Sequence, residues 1–359
     1  MNVGLLAKVI GGDFIGEFMA QIAMVVTNAC APDPRVERHA RWLVEEGHSV
    51  EIYAWDREHK HPMNDSLNGY EIQRTRIGSS PSVGSFASWK NKKKFISKLN
   101  ISADLLILND TDTANVNFNG KIILDIHDMA HTWPLMRGNS ILHRYASRKM
   151  LKDAKAIMKK SSVIITSAPG FQDWIKSEGH HSKVVMNRRN ASHLERIDEK
   201  VIGYFGRIRD FESMKTMIEA SKIAGFRVIT AGDGLAVERM IEEYPEIDYR
   251  GPFTEEQLPA LIGEISVMFA MYSTERGNIM QGAIPTKMLD AAAFGRPSVV
   301  NSDTPMGILC SNEKLGVTAP FNNLEEIAKA MSKAHSMEIN NVKGDDREIL
   351  VQVVANLLD

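Results

Sequence analysis

"VIGYFGRIRDFESMKTMIEASKIAGFRVITAGDG", residues 201–234, decides the fold class. VIGYFG (201–206) is a continuous apolar run ending in glycine. FESMKTMIEASKIAG (211–225) has helical character and is closed by Gly225, and FRVITAGDG (226–234) is a second strand with a glycine turn. A strand that is apolar throughout, rather than at alternate positions, is covered on both faces. Strands alternating with helices therefore predict a parallel sheet with helices on each side.

The pattern extends both ways. Downstream, IDYRGPF, ISVMFAMY and PSVVNS supply further strands. Upstream, IAMVVT (22–27), SVEIYAW (49–55), DLLILN (104–109), KIILDI (121–126) and SVIITS (162–167) form a first set. PRVERHARWLVEEGH follows the first of these. Pro34 starts the helix, Gly47 ends it, and Val36, Ala40 and Leu43 form its buried face. The polar stretch NRRNASHLERIDEK (187–200) reads as an interdomain linker. The expectation is α/β: two tandem Rossmann-like domains facing across a cleft. The first spans 1–190, with 1–21 as an extra segment; the second spans 191–335; a terminal helical segment, 336–359, returns toward the first. Ligands in such sheets bind beyond the carboxyl ends of the strands.

Bulk properties narrow the classes. The 359 residues carry 43 Lys+Arg against 45 Asp+Glu, a net charge of -2, which gives no electrostatic case for nucleic acid as the partner. Two distant cysteines, Cys30 and Cys310, make neither a disulfide framework nor a cysteine metal site. No apolar run reaches the ~18 residues of a spanning helix. The start, MNVGLLAKVIGGDFIGEFMAQ, lacks a basic n-region and reads as a packed extra helix or an amphipathic anchor, not a signal peptide. The expected location is cytoplasmic, with the inner membrane face open as a docking site.

Three stretches can carry chemistry. GYFGRIRD (203–210) runs from strand to helix, where unpaired N–H groups favour phosphate, and Arg207 and Arg209 add fixed charge. In IPTKMLDAAAFGRPSVV (284–300), a helix starting near Pro285 offers the N–H groups of Thr286 and Lys287 and the lysine ammonium to a diphosphate. Asp290, one turn on, suits the two hydroxyls of a ribose. LDIHDMAH (124–131) ends a strand with Asp125, His127, Asp128 and His131, and NDTD (109–112) ends the one before it. Substrate contact, turn capping and a metal site with His127 and His131 at i and i+4 of a helix all stay open there. SWKNKKKFISKL (88–99) and HRYASRKMLKDAKAIMKK (143–160) are basic; each is either a solvated helix face or a contact for anionic lipid.

On these residues the chain resembles the GT-B glycosyltransferases, especially the retaining enzymes of family 4. TNACAPDPRVERHARWLVEEGHSVEIYAW, with Asp33-Pro34-Arg35-Val36 and Gly47-His48, is similar to the family's first strand, loop and helix. GYFGRIRD, VITAGDG, YRGPFTEEQLPALIGEISVMFAMY and IPTKMLDAAAFGRPSVV follow in the family's order over about residues 22–335. The resemblance implies a UDP- or GDP-sugar donor in the second domain and a glycan or lipid-linked acceptor in the first, with no metal or other cofactor. It implies diphosphate contacts from Arg207 and Lys287, ribose contact from Asp290 and a base loop at Gly251, Pro252 and Phe253, with Gly232 in the AGDG turn. It implies a role near the transferred sugar for His127, beside Asp128. Many relatives carry two acids eight apart in the last motif. Here position 282 is Gly, and Glu275 stands too far upstream to replace the first acid directly. A sugar transferase is the favoured expectation. A non-catalytic nucleotide-sugar-binding subunit, an epimerase or hydrolase on the same architecture, and a metal hydrolase built on Asp125, His127, Asp128 and His131 are its rivals.

Overall fold

The computed structural model describes residues 19–78, 86–135, 138–274, 277–280, 282–340 and 342–359. Residues 1–18, which hold most of the expected N-terminal extra segment, and Glu275 lie outside the described residues. The chain forms two compact units: Met1–Val185 with Asp346–Asp359, and Met186–Asp345.

In the first unit the elements run β1 (Gln21–Val26), α1 (Pro34–Glu45), β2 (Ser49–Trp55), β3 (Asn64–Leu67), β4 (Tyr70–Thr75), α2 (Phe86–Lys98), β5 (Leu105–Asn109), β6 (Lys121–Ile126), α3 (Ile141–Lys160), β7 (Val163–Thr166), α4 (Pro169–Ser177) and β8 (Lys183–Val184). The sheet order is β3-β4-β2-β1-β5-β6-β7-β8, parallel except for β3. The continuous apolar strands have the expected cause. Ile22, Met24 and Val26 of β1 enter one core with α1, while Ala23 and Val25 enter another with Phe95 of α2, Ile157 of α3 and Ile175 of α4. α1 begins at Pro34 because Asp33 caps it, accepting from the N–H of Val36 at 3.3 Å, while Glu37 accepts the Asp33 N–H at 2.6 Å.

The second unit runs β9 (Val201–Phe205), α5 (Phe211–Ala224), β10 (Arg227–Ala231), α6 (Val237–Glu243), β11 (Asp248–Tyr249), α7 (Leu258–Gly263), β12 (Val267–Ala270), α8 (Gly277–Met280), α9 (Thr286–Ala293), β13 (Ser298–Asn301), α10 (Pro305–Glu313), β14 (Gly316–Ala319) and α11 (Leu324–His335). Its six strands are parallel in the order β11-β10-β9-β12-β13-β14. α5, α6 and α11 fill one face and α7 and α9 the other. α12 (Arg347–Leu358) belongs to the first unit, where Leu350, Val353 and Val354 share the α1 core and Arg347 pairs with Glu45 and Glu46.

Each unit is thus an α/β sheet of the expected Rossmann-like kind. The stretch 187–200, expected as a linker, follows the boundary between the units and is anchored on the second. Leu194 and Ile197 pack on the second unit's core, and Arg188 is buried with both carboxylate oxygens of Glu313 at 2.7 and 2.8 Å. A polar stretch can be anchored when arginines find buried acids, and composition alone does not show the partner.

At the carboxyl ends of β9 and β10 two turns meet backbone to backbone. Gly232 has φ 135°, and a Cβ placed on it would lie 1.9 Å from the carbonyl oxygen of Gly206. Gly232→Ala should therefore destabilise the chain by more than about 2 kcal/mol, combining backbone strain with a clash that only a shift of the turn relieves. Denaturant unfolding of the purified variant checks this; a midpoint equal to wild type contradicts the close approach.

Candidate functional site

The site of the second unit is assembled on those turns. The N–H of Gly206 donates to the Ala231 carbonyl at 2.9 Å, and the N–H of Gly232 donates to the Gly251 carbonyl at 2.7 Å. Gly206, Gly232 and Gly251 all take positive φ, which lets three strand ends come together without side chains between them. The ammonium of Lys287 lies over this point. It is 4.3 Å from the Tyr204 ring centroid, 5.6 Å from that of Tyr272 and 3.5 Å from the Tyr272 hydroxyl. A Cβ on Gly206 would lie 3.1 Å from Lys287 Nζ, so the ammonium sits directly on the glycine backbone. Two aromatic faces favour the charge and fix its place.

The start of α9 has no side-chain cap from its N-cap residue. That residue is Pro285, so the first N–H groups, from Thr286 on, have no local acceptor from that position. The start of α5 is different. Asp210 accepts from the Glu212 N–H at 3.0 Å and also holds Ser213 and, at 3.4 Å, the Ser273 N–H. The expectation that GYFGRIRD offers a helix N-terminus to phosphate is thus corrected: a carboxylate already occupies it. What the loop presents instead is the glycine backbone and two exposed arginines, Arg207 and Arg209. Arg207 faces Asp233 at 3.6 Å in a solvated pair.

Asp290 is placed differently from the expectation. Its Oδ1 accepts from Arg189 Nε at 2.7 Å, and Arg189 reaches on to Glu255 at 3.1 Å and lies over the Phe294 ring at 5.9 Å. One of the two acceptor oxygens assigned to a ribose is therefore occupied, and Oδ2 takes no hydrogen bond among the described residues. Arg189 was hidden in the apparent linker. Its signal was the doubled arginine at 188–189, too general to assign. Pro252 is exposed, and Phe253 packs edge-on against Phe205 with centroids 6.4 Å apart. Gly282 has φ 117°, a conformation suited to glycine.

In the first unit, LDIHDMAH and NDTD do meet. Asp125 is fully buried and paired bidentately with Arg35 of α1 at 2.7 and 2.8 Å, while Arg35 also donates to the Val185 carbonyl at 2.7 Å. His39 stands 3.4 Å from the same carboxylate. Asp110 accepts on Oδ1 from the backbone N–H of His127 at 2.9 Å and of Asp128 at 2.8 Å, and on Oδ2 faces His127 Nε2 at 3.0 Å. Asp110 itself has φ 62° and ψ 160°, a region otherwise kept to glycine, at a cost of about 1–3 kcal/mol. Strain of this kind persists only where surrounding bonds enforce it, and it concentrates at functional sites.

The cluster's electrostatics follow from its burial. Burial opposes a charge on His127, but Asp110 and Asp125 outweigh it and raise the imidazole pKa to about 9. Burial would raise Asp125, and Arg35 and the histidines overcome it, holding the carboxyl below its ordinary range. Burial and Arg35 push His39 well below its ordinary value, so it stays neutral. For Asp110, burial raises the carboxyl against the pull of His127.

The metal reading of this segment does not hold. The α-helix that would align His127 with His131 is absent; residues 130–132 form a single tight turn, and His131 stacks on Trp174 with centroids 5.1 Å apart. Arg35 takes both oxygens of Asp125. Asp128 accepts from the Met129 N–H at 2.8 Å and the Trp133 indole at 3.1 Å, which holds the turn. Sequence reasoning missed Asp110 as the group that fixes His127 and Arg35 as the partner of Asp125. It also missed Arg57, which lies over Trp55 at 4.7 Å and donates to the Thr27 carbonyl at the end of β1.

Residues 199–336, within the second unit, match the family model described as glycosyl transferases group 1. No curated protein sequence matches the chain. Among solved structures, sucrose-phosphate synthase from Thermosynechococcus elongatus is similar with a TM-score of 0.67 at 14% identity, over 94% of this chain and 95% of that one. S. aureus TarM, in a complex with fondaparinux, alpha-GlcNAc-glycerol and UDP, gives 0.65 at 10% identity, over 95% and 100%. Anabaena HepE, in complex with UDP and glucose, gives 0.60 at 14%, over 94% and 99%. At these identities the likeness is one of fold, and that fold is the expected GT-B architecture.

His127 yields a pH test. Its folded pKa lies above the ordinary 6.5, so its contribution to stability is complete below pH 6.5 and is lost as pH rises through about 9. Urea unfolding stepped across that window should show falling stability, and His127→Gln should flatten it. A histidine NMR titration with no resonance above pH 7.5 in the wild type contradicts the charged pair.

Proposed function

We propose that the protein is a glycosyltransferase that moves a sugar from a UDP- or GDP-linked donor to a hydroxyl of a glycan or lipid-linked saccharide, with retention. The observation that carries this is the ammonium of Lys287 held by Tyr204 and Tyr272 over the Gly206 turn, beside the uncapped start of α9. The match of this same unit to glycosyl transferases group 1 supports sugar transfer as the class of reaction.

In this reading the donor diphosphate lies against the glycine backbones and the first N–H groups of α9, with Lys287 as its counter-charge and Arg207 and Arg209 drawn in from the loop. The bond between the anomeric carbon and the diphosphate oxygen breaks, and negative charge grows on the leaving group. Lys287 and the N–H groups are placed to stabilise that charge, which is where an enzyme gains most. The acceptor oxygen bonds the anomeric carbon from the same face, and its proton passes to the departing diphosphate. The base stacks in the loop of Gly251, Pro252 and Phe253, and Asp290, steadied by Arg189, offers Oδ2 to the ribose. His127, carried as imidazolium on Asp110 just beyond the carboxyl ends of β6 and β5, contacts the sugar or the acceptor.

The test is binding before turnover. Lys287→Ala should weaken a nucleoside diphosphate roughly 10- to 100-fold, the worth of one or more charge-assisted bonds, and leave the matching nucleoside almost unchanged. Calorimetry showing equal losses for both would remove the lysine from the diphosphate site.

His127→Ala should lower transfer while leaving nucleotide affinity intact, since its cluster lies in the other unit from Lys287. Donor consumption by wild-type protein without any acceptor would favour a hydrolase. Tight nucleotide-sugar binding with no product under any acceptor would favour a binding subunit.

A further inference from the structure

α3 has 20 residues, and its buried side is narrow: Ser147, Ala154, Ile157 and Met158. The outward side is continuous. Residues 141, 145, 148, 152, 155 and 159 alternate by four and three, so they form one stripe along the helix. Its N-terminal end carries three large exposed side chains: Ile141 is 80% exposed, Leu142 78% and Tyr145 68%. Beyond that end the stripe is basic, with Arg148, Lys152, Lys155 and Lys159 exposed and Arg144 beside them. Lys155 reaches Glu178 at 2.7 Å, and Lys149 reaches Asp153 at 3.6 Å. Arg144, Arg148, Lys152 and Lys159 make no ion pair among the described residues.

The second basic stretch, 88–99, lacks this character. In α2 the apolar Phe95 and Ile96 are buried, Lys92 faces Asp112 at 3.6 Å, and Lys93 lies over the Trp89 ring at 3.7 Å. A solvated face accounts for α2. It does not account for three large exposed side chains grouped at the N-terminal end of α3.

We propose that the outward stripe of α3 docks on an anionic lipid bilayer, with Ile141 and Leu142 in the acyl boundary, Tyr145 at the head-group level, and Arg144, Arg148, Lys152 and Lys159 along the phosphates. An apolar end with an adjoining row of cations is the pattern of a helix lying in a membrane interface. Tyrosine suits the border, with an apolar ring and a polar tip. No helix among the described residues is long and apolar enough to cross a membrane, so the contact is peripheral. Nucleic acid would use the charge but leave the apolar end in water. The inference is independent of the transfer reaction.

The test uses the full chain and vesicles, with no donor or acceptor. Sedimentation should show binding to mixed phosphatidylcholine–phosphatidylglycerol vesicles and none to phosphatidylcholine alone. The triple variant Arg148→Glu, Lys152→Glu, Lys159→Glu should lose more than roughly 100-fold in affinity, since each cation removed counts roughly fivefold near an anionic surface and each carboxylate adds repulsion. The Gln version should lose less, in the same direction, which guards against a misfolded Glu variant. Ile141→Ser, Leu142→Ser, Tyr145→Ser should abolish the binding that survives high salt, because salt screens only the charges. All six side chains are exposed, so the variants should melt with the wild type. Equal vesicle binding by wild type and variants overturns the proposal, as does no binding to the mixed vesicles. So does an assembly that the Ser variant reduces to monomer without vesicle binding, which assigns the face to a second copy. So does single-stranded DNA binding, lost in the charge variant, in place of vesicle binding.

Discussion

A buried ion pair fixes the first unit. Arg35 leaves α1 and meets Asp125 at the end of a central strand, with its remaining guanidinium nitrogen on the Val185 carbonyl. Two charges taken out of water are costly, and only close bidentate geometry with further hydrogen bonds offsets this. The pair therefore tolerates little displacement. Through it the first helix, the strand β6 and the end of the chain's first passage hold one geometry. His39 and His127 then take opposite charge states around one carboxylate, the first neutral beside Arg35 and the second cationic beside Asp110.

The second unit is fixed at its strand ends by backbone contacts. Its strand ends meet at glycine backbones, Gly232 lying too close to the Gly206 carbonyl for any side chain, and the ammonium above them lies over aromatic rings. Among the described residues the carboxylates near this surface are engaged: Asp210 closes one helix, Asp233 faces Arg207, and Asp290 accepts from Arg189. That distribution suits an anion at the start of α9 and not at the start of α5.

Much of this was legible in the residues, and the failures have common causes. The strands stood out because burial on both faces leaves unbroken apolar runs such as IAMVVT and DLLILN. Pro34 and Gly225 marked helix ends because each has one conformational use there. The hairpin of β3 and β4 was overlooked, although Asn68-Gly69, with φ 51° and 85°, makes a two-residue turn of a well-known kind. Its polar edge strand lacks the apolar run that was sought. The positions of Lys287 at a helix start and Gly232 in a turn were legible because both are local features. Arg35, Arg189 and Asp110 were not placed, because their roles lie in partners 90, 101 and 17 positions away. For the same reason Asp125 and Asp128 looked open to ligands when arginine and the local turn had already engaged them.

The first unit is discontinuous in sequence: α12 joins its core only after the whole of Met186–Asp345 has intervened. On a ribosome adding about 5–20 residues per second, the second unit is completed while the apolar side of α1 still lacks Leu350, Val353 and Val354. The usual order of synthesis, in which the earlier domain is finished first, is thereby reversed for this chain. The nascent protein carries an exposed seam on its first unit for on the order of ten seconds or more, an interval in which a chaperone has a defined surface to protect.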